Sequence, residues 1–316
     1  MANTAWTNLT LFPLALGGNV FGWTADEAES FAVLDAYAAA GGNHVDTADS
    51  YSAWVPGNSG GESETIIGNW IKARGNRDQI LVATKAGRLG RLTAANIAAF
   101  ADASLRRLQT DYIDLFYMHD DHDDVPLEES LGALDALVRA GKVRAIGASN
   151  FTAARLAEAR EVSAREGFAA YVALQPYYNL LERRRVEEIP YEGPLQDYVV
   201  AEHVDVFPFF SLAMGFLAGK YRPGGEQVQS ARAEGAAAYL DTARGLAVLE
   251  ALDEIAAAHR TTVAAVALAW TLAQAGVAAP IASARTTDQL AELLPVAELK
   301  LAEDEIDALT RASEQE

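Results

Sequence analysis

The stretch AAAGGNHVDTADSY (residues 38–51) contains, in order, a helix end, a short apolar strand and a polar loop. Gly41 stands where the helix is expected to stop, because glycine readily adopts the left-handed conformation that commonly follows a helix. The short run NHVD then leads directly into acidic and hydroxyl side chains. This order indicates a buried strand whose carboxyl end delivers polar groups to a loop.

Similar units recur along the whole chain, where short apolar runs typical of buried parallel strands alternate with helical patterns. The predicted strands span residues 12–16, 43–46, 80–84, 112–118, 143–148, 171–175, 204–210 and 277–282. Eight strands that alternate with helices predict a (β/α)8 TIM barrel, formed by residues 1–316 as a single α/β domain. A doubly wound open sheet is the alternative.

Helix start and stop signals support this division of the chain into alternating strands and helices. The spacings T-x-x-E at 24–27 and S-x-x-E at 59–62 predict capping boxes. Thr93 and Thr152 are predicted N-caps, and Gly141, like Gly41, marks a helix end.

One long irregular stretch, YRPGGEQVQSARAEGAAAYLD (221–241), follows the seventh predicted strand. Loops of this length are uncommon in compact domains unless they serve as lids or binding loops. We therefore predict a mobile segment over the barrel mouth, with an ordinary surface loop as the alternative.

The composition excludes several classes of function. The formal net charge of −19 over 316 residues argues against a nucleic-acid partner, because phosphate binding needs clustered Lys and Arg. Cysteine is absent, which excludes disulfides and thiolate chemistry and fits a reducing cytoplasm. The N-terminal stretch lacks the pattern of a secretion signal, and the most apolar window (261–282) is interrupted by Gly276 and Pro280. We therefore expect a cytoplasmic protein without a membrane partner; no pattern predicts its oligomeric state.

Polar or aromatic side chains stand at the predicted carboxyl ends of the strands, where barrels of this type build their active sites. These residues are Asp46, Lys85, His119, Ser149, Asn150, Gln175, Phe209, Phe210, Ser283 and Arg285. Each alone has a structural explanation as a turn residue, a surface amine or a core side chain. The repetition of the pattern predicts a site at this end of the barrel.

Four residues, Asp46, Tyr51, Lys85 and His119, form a chemical set. A tyrosine loses its proton near pH ~10, too high for an efficient acid at neutral pH, and a neighbouring ammonium lowers that value. A carboxylate can hold the ammonium in place, and a histidine beside the phenol can orient a carbonyl oxygen. The set is suited to protonating a carbonyl oxygen while hydride arrives at carbon.

Seven motifs together resemble the successive signatures of the aldo-keto reductases, in order from about residue 10 to residue 313. They are NHVDTADSYS, ATKAG, DYIDLFYMHDD, GKVRAIGASNF, LQPYYNLLER, FFSLAMGFLAGKY and PIASARTTDQLAELL. The resemblance implies an NADP-dependent oxidoreductase acting on CH–OH donors. By this resemblance, Tyr51 would be the general acid and Lys85 would lower its pKa. Asp46 would hold Lys85, and His119 would orient the small-molecule carbonyl substrate.

The resemblance also implies an extended NADPH, or NADH, across the barrel mouth. No G-x-G-x-x-G fingerprint is present, so a dinucleotide would bind by other means than in a Rossmann fold. The implied cofactor contacts are Gly18, Asn19, Val20, Asp46, Ser149, Asn150, Gln175, Phe209, Ser211, Leu212, Met214, Gly215, Leu217, Ser283, Arg285, Gln289 and Glu292. Phe209 would stack on the nicotinamide. Arg285 favours NADPH, because a guanidinium can clamp the additional phosphate in a bidentate way.

The chain departs from the family pattern at Leu293, where an adenine-contacting Asn is usual, and at Phe210 and Ser211. Weaker adenine contacts are therefore expected. Trp23 and Trp54, with His119, are predicted to contact the substrate, and their indoles suit an apolar or aromatic carbonyl compound or a sugar face.

Two other functions compete with the reductase. The run HDDHDD (119–124) has the residue types of a metal site. Six adjacent residues cannot all converge on one ion, however, and no metal is predicted. A non-catalytic, NADPH-sensing regulatory subunit is the second alternative, and it would bind cofactor without turnover.

Overall fold

The computed structural model describes residues 2–184 and 189–315. A short antiparallel hairpin, β1 (Ala2–Asn3) and β2 (Thr10–Leu11), precedes eight parallel strands. These strands are β3 (Ala15–Gly17), β4 (His44–Asp46), β5 (Leu81–Ala86), β6 (Ile113–Met118), β7 (Val143–Ser149), β8 (Tyr171–Gln175), β9 (Asp205–Val206) and β10 (Ile281–Ala282).

The eight parallel strands follow one another around the sheet, with β10 pairing β3 and each later strand pairing the next up to β9. The remaining gap is bridged where Val206 pairs in parallel with Val277 and accepts a hydrogen bond from the Ala278 N–H at 2.8 Å. The Ile281 N–H donates to the Pro208 carbonyl at 2.9 Å across the same gap. This closure confirms the predicted (β/α)8 barrel over an open sheet.

Helices alternate with the barrel strands. They are α1 (Glu27–Ala39), α2 (Glu62–Arg74), α3 (Ala94–Leu108), α4 (Leu127–Arg139), α5 (Ala153–Glu166), α6 (Pro194–Ala201), α7 (Ala233–Ala237), α8 (Ala243–His259), α9 (Val263–Leu272), α10 (Thr287–Leu293) and α11 (Glu303–Ala312). Among the described helices, none by itself is long and apolar enough to cross a membrane. Only the pair α8 and α9, bent by 99°, passes that test.

Three strands begin three or more residues later than predicted or have only two residues. β3 begins at Ala15 rather than at residue 12, and β9 and β10 each have two residues. Proline lies within each predicted run, as Pro13, Pro208 and Pro280. Because proline has no N–H to donate to a neighbouring strand, regular pairing is interrupted there.

The N-caps Thr93 and Thr152 are confirmed, since their side chains accept hydrogen bonds from the N–H groups three residues later. The capping box predicted at 24–27 is wrong by two residues. The box of α1 joins Asp26 and Glu29, whose carboxylates each accept from the other's N–H, at 2.8 and 3.0 Å. Thr24 belongs instead to a tight turn in which its N–H donates to the Val20 carbonyl.

The box predicted at 59–62 is present only in half. The Ser59 N–H donates to the Glu62 carboxylate at 2.9 Å, but the N-cap of α2 is Gly61. Gly61 has a φ of 84°, a conformation that side chains disfavour, and a Cβ there would overlap the Arg107 side chain. The helix therefore starts without a side-chain cap. The predicted ends hold, because Gly41 and Gly141 follow α1 and α4 with positive φ.

The two ends of the barrel are unlike. At the amino ends of the strands, Trp6 donates from its indole to Asp205 at 2.7 Å and packs edge-on against Phe207. The barrel interior above it is filled by buried side chains such as Leu81, Leu115 and Tyr117. This packing leaves the carboxyl ends of the strands as the face on which polar groups gather.

The segment 221–241 is more ordered than an irregular loop. It contains α7 and a 3-10 helix at Ala238–Asp241, both within an alanine-rich stretch of high helix propensity. Its mobility stays a prediction.

Candidate active site

Asp46 and Lys85 form a buried ion pair at the carboxyl ends of β4 and β5. The Lys85 ammonium donates to both carboxylate oxygens of Asp46 at 2.8 Å and to the Thr47 carbonyl at 2.7 Å. The two side chains are 1–2% exposed. Three acceptors within hydrogen-bond distance fix the ammonium, because each of its three donors has one partner.

Tyr51 and His119 stand on the cavity side of this pair. The Tyr51 hydroxyl donates to Asp46 at 3.4 Å, and the Lys85 ammonium lies 4.7 Å from the centroid of the Tyr51 ring. His119 follows β6 directly, and its ring centroid is 6.2 Å from that of Tyr51. The structure thus brings the four predicted catalytic side chains together.

The electrostatics of the four residues are set by burial and by the central ammonium. Burial raises the pKa of Tyr51 above its ordinary value, while Lys85 opposes that shift. Burial alone would lower the pKa of Lys85, but Asp46 and then Tyr51 outweigh it and raise the value. Burial, followed by the charges of Lys85 and Arg88, holds the pKa of His119 well below its ordinary range. Near pH 7 the phenol is protonated, the amine charged and the imidazole neutral.

A second acid, Asp49, is buried beside this set. Burial, and then the neighbouring carboxylate of Glu64, raise the pKa of Asp49 to about 7. At neutral pH it carries only part of a negative charge.

The amide-bearing residues predicted to hold the cofactor form a network at the ends of β7 and β8. Gln175 donates from its amide to Asp46 at 2.8 Å, and the Ser149 hydroxyl donates to the Gln175 carbonyl at 2.9 Å. The Asn150 amide donates to the His119 carbonyl and to the Asp120 carboxylate. These bonds connect the residues predicted to contact the cofactor to Asp46 and His119.

An open cavity of about 290 Å³ lies in front of Tyr51. Most of the residues predicted for cofactor and substrate line it. They are Asn19, Val20, Trp23, Asp46, Trp54, His119, Ser149, Gln175, Phe209, Ser211, Leu212, Met214, Gly215, Ser283, Arg285 and Gln289.

Five predicted residues do not line the cavity. Lys85 lies behind Asp46, and Gly18 packs against Ser63 and the Asp46 carbonyl. Asn150, Leu217 and Glu292 are the others: Leu217 is fully buried in the core, and Glu292 is exposed on α10. For these three, a contact with the cofactor stays a prediction.

The chemistry of the cavity wall fits a dinucleotide. The loop after β9 has three non-glycine residues with positive φ, Phe210, Ala213 and Met214. Such conformations cost on the order of 1–3 kcal/mol each and, next to right-handed residues, form N–H concavities that bind anions. Lys220 and Arg285 add positive charge beside this loop, and a Cβ on Gly215 would meet the Lys220 ammonium at 3.4 Å. Phosphate groups suit such a wall.

The sequence reasoning missed three cations of this cavity, Arg88, Lys220 and Arg232. Arg88 follows β5, Lys220 ends the motif FFSLAMGFLAGKY, and Arg232 lies within 221–241. The available signal was basic residues in strand-end loops of a chain with 25 basic and 44 acidic residues.

The acidic run 119–124 does not converge on a point. Asp120, Asp121 and Asp124 pair with Arg88, Arg155 and Arg91, respectively. Within residues 2–184 and 189–315, no group of three or more His, Cys, Asp or Glu side chains is arranged to hold a metal ion.

A family model and several known proteins match this chain over nearly its whole length. The model of the "Aldo/keto reductase family" matches residues 13–314. Protein tas of Escherichia coli (strain K12) is 31% identical, over 94% of this chain and 93% of that protein. "Uncharacterized oxidoreductase YrpG" of Bacillus subtilis (strain 168) is 32% identical, over 93% and 90%. Norsolorinic acid reductase B of Aspergillus parasiticus is 29% identical, over 97% and 82%.

Proposed function

This chain belongs to the aldo/keto reductase family, and from that premise we propose that it reduces aldehydes or ketones to alcohols with NADPH, using Tyr51 as the general acid. Family membership supports NAD(P)H-dependent oxidoreduction of carbonyl compounds in general. The observation that carries the finer proposal is the position of the Lys85 ammonium, held by Asp46 and lying 4.7 Å from the centre of the Tyr51 ring.

The carbonyl oxygen is bound between Tyr51 and His119. A neutral imidazole has one N–H to donate, and the lowered pKa of His119 keeps the ring in that form. The protonated phenol supplies the second hydrogen bond. Two donors on one oxygen polarise the C=O bond and orient the carbonyl carbon toward the Phe209 side of the cavity.

Tyr51 then transfers its proton to that oxygen as the C=O π bond breaks. Proton transfer leaves a tyrosinate, which the Lys85 ammonium stabilises by its charge. Asp46 keeps the ammonium in place through the transfer, and the Gln175 amide holds Asp46. A proton from solvent restores the phenol after the alcohol leaves.

When bound, the reduced nicotinamide supplies the hydride that the carbonyl carbon accepts, and it leaves oxidised. The chain's own part is to position that ring with Phe209 and the Ser149–Gln175 pair. The anionic groups of the dinucleotide would lie against Ser211, Leu212 and Gly215, with Arg285 on the additional phosphate of NADPH.

The direct test follows oxidation of NADPH, with NADH in parallel, against aromatic aldehydes, dicarbonyls and aldoses. We expect carbonyl-dependent consumption of NADPH, faster than that of NADH, and one alcohol formed for each cofactor oxidised. Product identification by mass spectrometry checks the balance. Cofactor binding without turnover on any carbonyl would contradict the proposal and favour a sensing role, and absence of cofactor binding would contradict both.

A further inference from the structure

Arg232 lies over two aromatic walls of the cavity. It belongs to the segment 221–241, and its guanidinium carbon is 5.4 Å from the centroid of the Trp23 ring and 5.2 Å from that of Phe210. Trp23 packs edge-on against Trp54 at 5.4 Å, and Trp54 lies 6.2 Å from Tyr51. Aromatic contacts therefore run from the guanidinium to the proposed proton donor.

The charge of Arg232 has no protein counter-charge. Across the two described parts of the chain, its side chain forms no ion pair and no hydrogen bond, although it is partly buried. Arg88, which lines the same cavity, is instead bidentate to Asp120 at 2.8 and 3.2 Å. Removing a cation from water is unfavourable unless it is paired, and two cation–π contacts compensate only in part.

Arg232 differs from the other two unpaired cations of the cavity in what surrounds it. Its guanidinium lies against the Trp23 and Phe210 rings, and burial lowers its pKa. Lys220, by contrast, has its pKa lowered by burial and then by Arg285. The cations thus divide into a pair suited to the cofactor phosphates and a single guanidinium on the aromatic wall formed by Trp23 and Phe210.

We infer that Arg232 is a specificity-determining residue that binds the carboxylate of an anionic carbonyl substrate. The inference rests on the proposed reductase function. A guanidinium presents two parallel N–H donors to a carboxylate, and Trp23, Trp54 and Phe210 accommodate a flat apolar body between that group and the carbonyl. The substrate class is therefore an aldehyde or ketone with an aromatic or apolar body and a carboxylate.

The test uses two substrates that differ only in charge, para-carboxybenzaldehyde and its methyl ester. We expect wild type to prefer the acid, measured as the ratio of kcat/KM for acid to ester. In Arg232→Gln that ratio should fall about 10- to 100-fold, the range for a lost hydrogen bond to a charged group. Arg232→Lys should keep part of the preference, because the positive charge remains although the two parallel N–H donors are lost.

Arg222→Gln is the matched control. Arg222 lies near the start of the same segment but is outside the cavity and paired with Asp253 at 2.6 and 2.8 Å. The ratio of kcat/KM for acid to ester in this variant should therefore stay at the wild-type value. An unchanged ratio in Arg232→Gln would overturn the inference. A ratio unchanged while the Kd of NADPH rises would instead make Arg232 a cofactor ligand. Turnover of the ester by wild type without preference for the acid would contradict this inference alone. Absence of turnover of either substrate would contradict the reductase function.

Discussion

The base and the outer wall of the cavity differ in the source of their counter-charge. At the base, the Lys85 ammonium is bound by both oxygens of Asp46, which also accepts from Gln175. On the outer wall, Lys220, Arg232 and Arg285 have no ion pair with any residue that the structure describes. A charge that must stay in one position is matched within the protein. Unmatched cations suit a wall whose counter-charges arrive with ligands.

The largest expected effect comes from breaking the matched pair. Lys85→Met leaves the Asp46 carboxylate buried and unpaired, which should lower the free energy of unfolding by about 3–5 kcal/mol. It also removes the charge that stabilises a tyrosinate, so kcat should fall at least about 100-fold. Urea unfolding and steady-state kinetics measure the two effects separately.

The double variant Lys85→Met, Asp46→Asn separates stability from chemistry. Removing both charges should recover most of the lost stability but none of the lost kcat. A kcat in Lys85→Met close to that of wild type would show that the ammonium does not assist proton transfer. Recovery of kcat in the double variant would instead assign the loss to misfolding.

A smaller effect is expected at the unmatched wall. Arg285→Gln should weaken NADPH binding about 10-fold or more while changing NADH binding little, because a hydrogen bond to a charged phosphate is lost only with NADPH. Quenching of protein fluorescence gives both Kd values. Arg106→Gln, on the exposed side of α3, is the control. Equal losses with both cofactors would place Arg285 away from the additional phosphate.

Much of the base of the cavity was predictable from the sequence, because its residues lie at the ends of strands. Asp46 terminates β4, Lys85 lies near the end of β5, and His119 follows β6. Once short apolar runs are recognised as neighbouring parallel strands, their next residues must face one end of the barrel. Tyr51 lies only five residues beyond Asp46, so a short loop brings it back to the same place.

The outer wall was less predictable because its residues lie on long connections. Arg232 is 26 residues beyond the end of β9 at Val206, and its contact with Trp23 joins segments more than 200 residues apart. Neither spacing nor periodicity reports the path of such a segment. The shortening of β9 and β10 at Pro208 and Pro280 has another cause, because the apolar pattern identifies each strand but does not account for the N–H donor that each proline lacks.

The measurement that tests the central claim most directly is a single turnover of Tyr51→Phe, with the Kd of the cofactor determined on the same preparation. The substitution removes one hydroxyl. The control, Tyr112→Phe, removes a hydroxyl at the end of β6 remote from His119, where Tyr112 stacks between Arg77 and Arg144. The proposed mechanism predicts that nicotinamide oxidation slows about 100- to 10,000-fold in Tyr51→Phe, at unchanged cofactor Kd, and not at all in Tyr112→Phe. A single-turnover rate in Tyr51→Phe equal to that of wild type would contradict the assignment of Tyr51 as the proton donor.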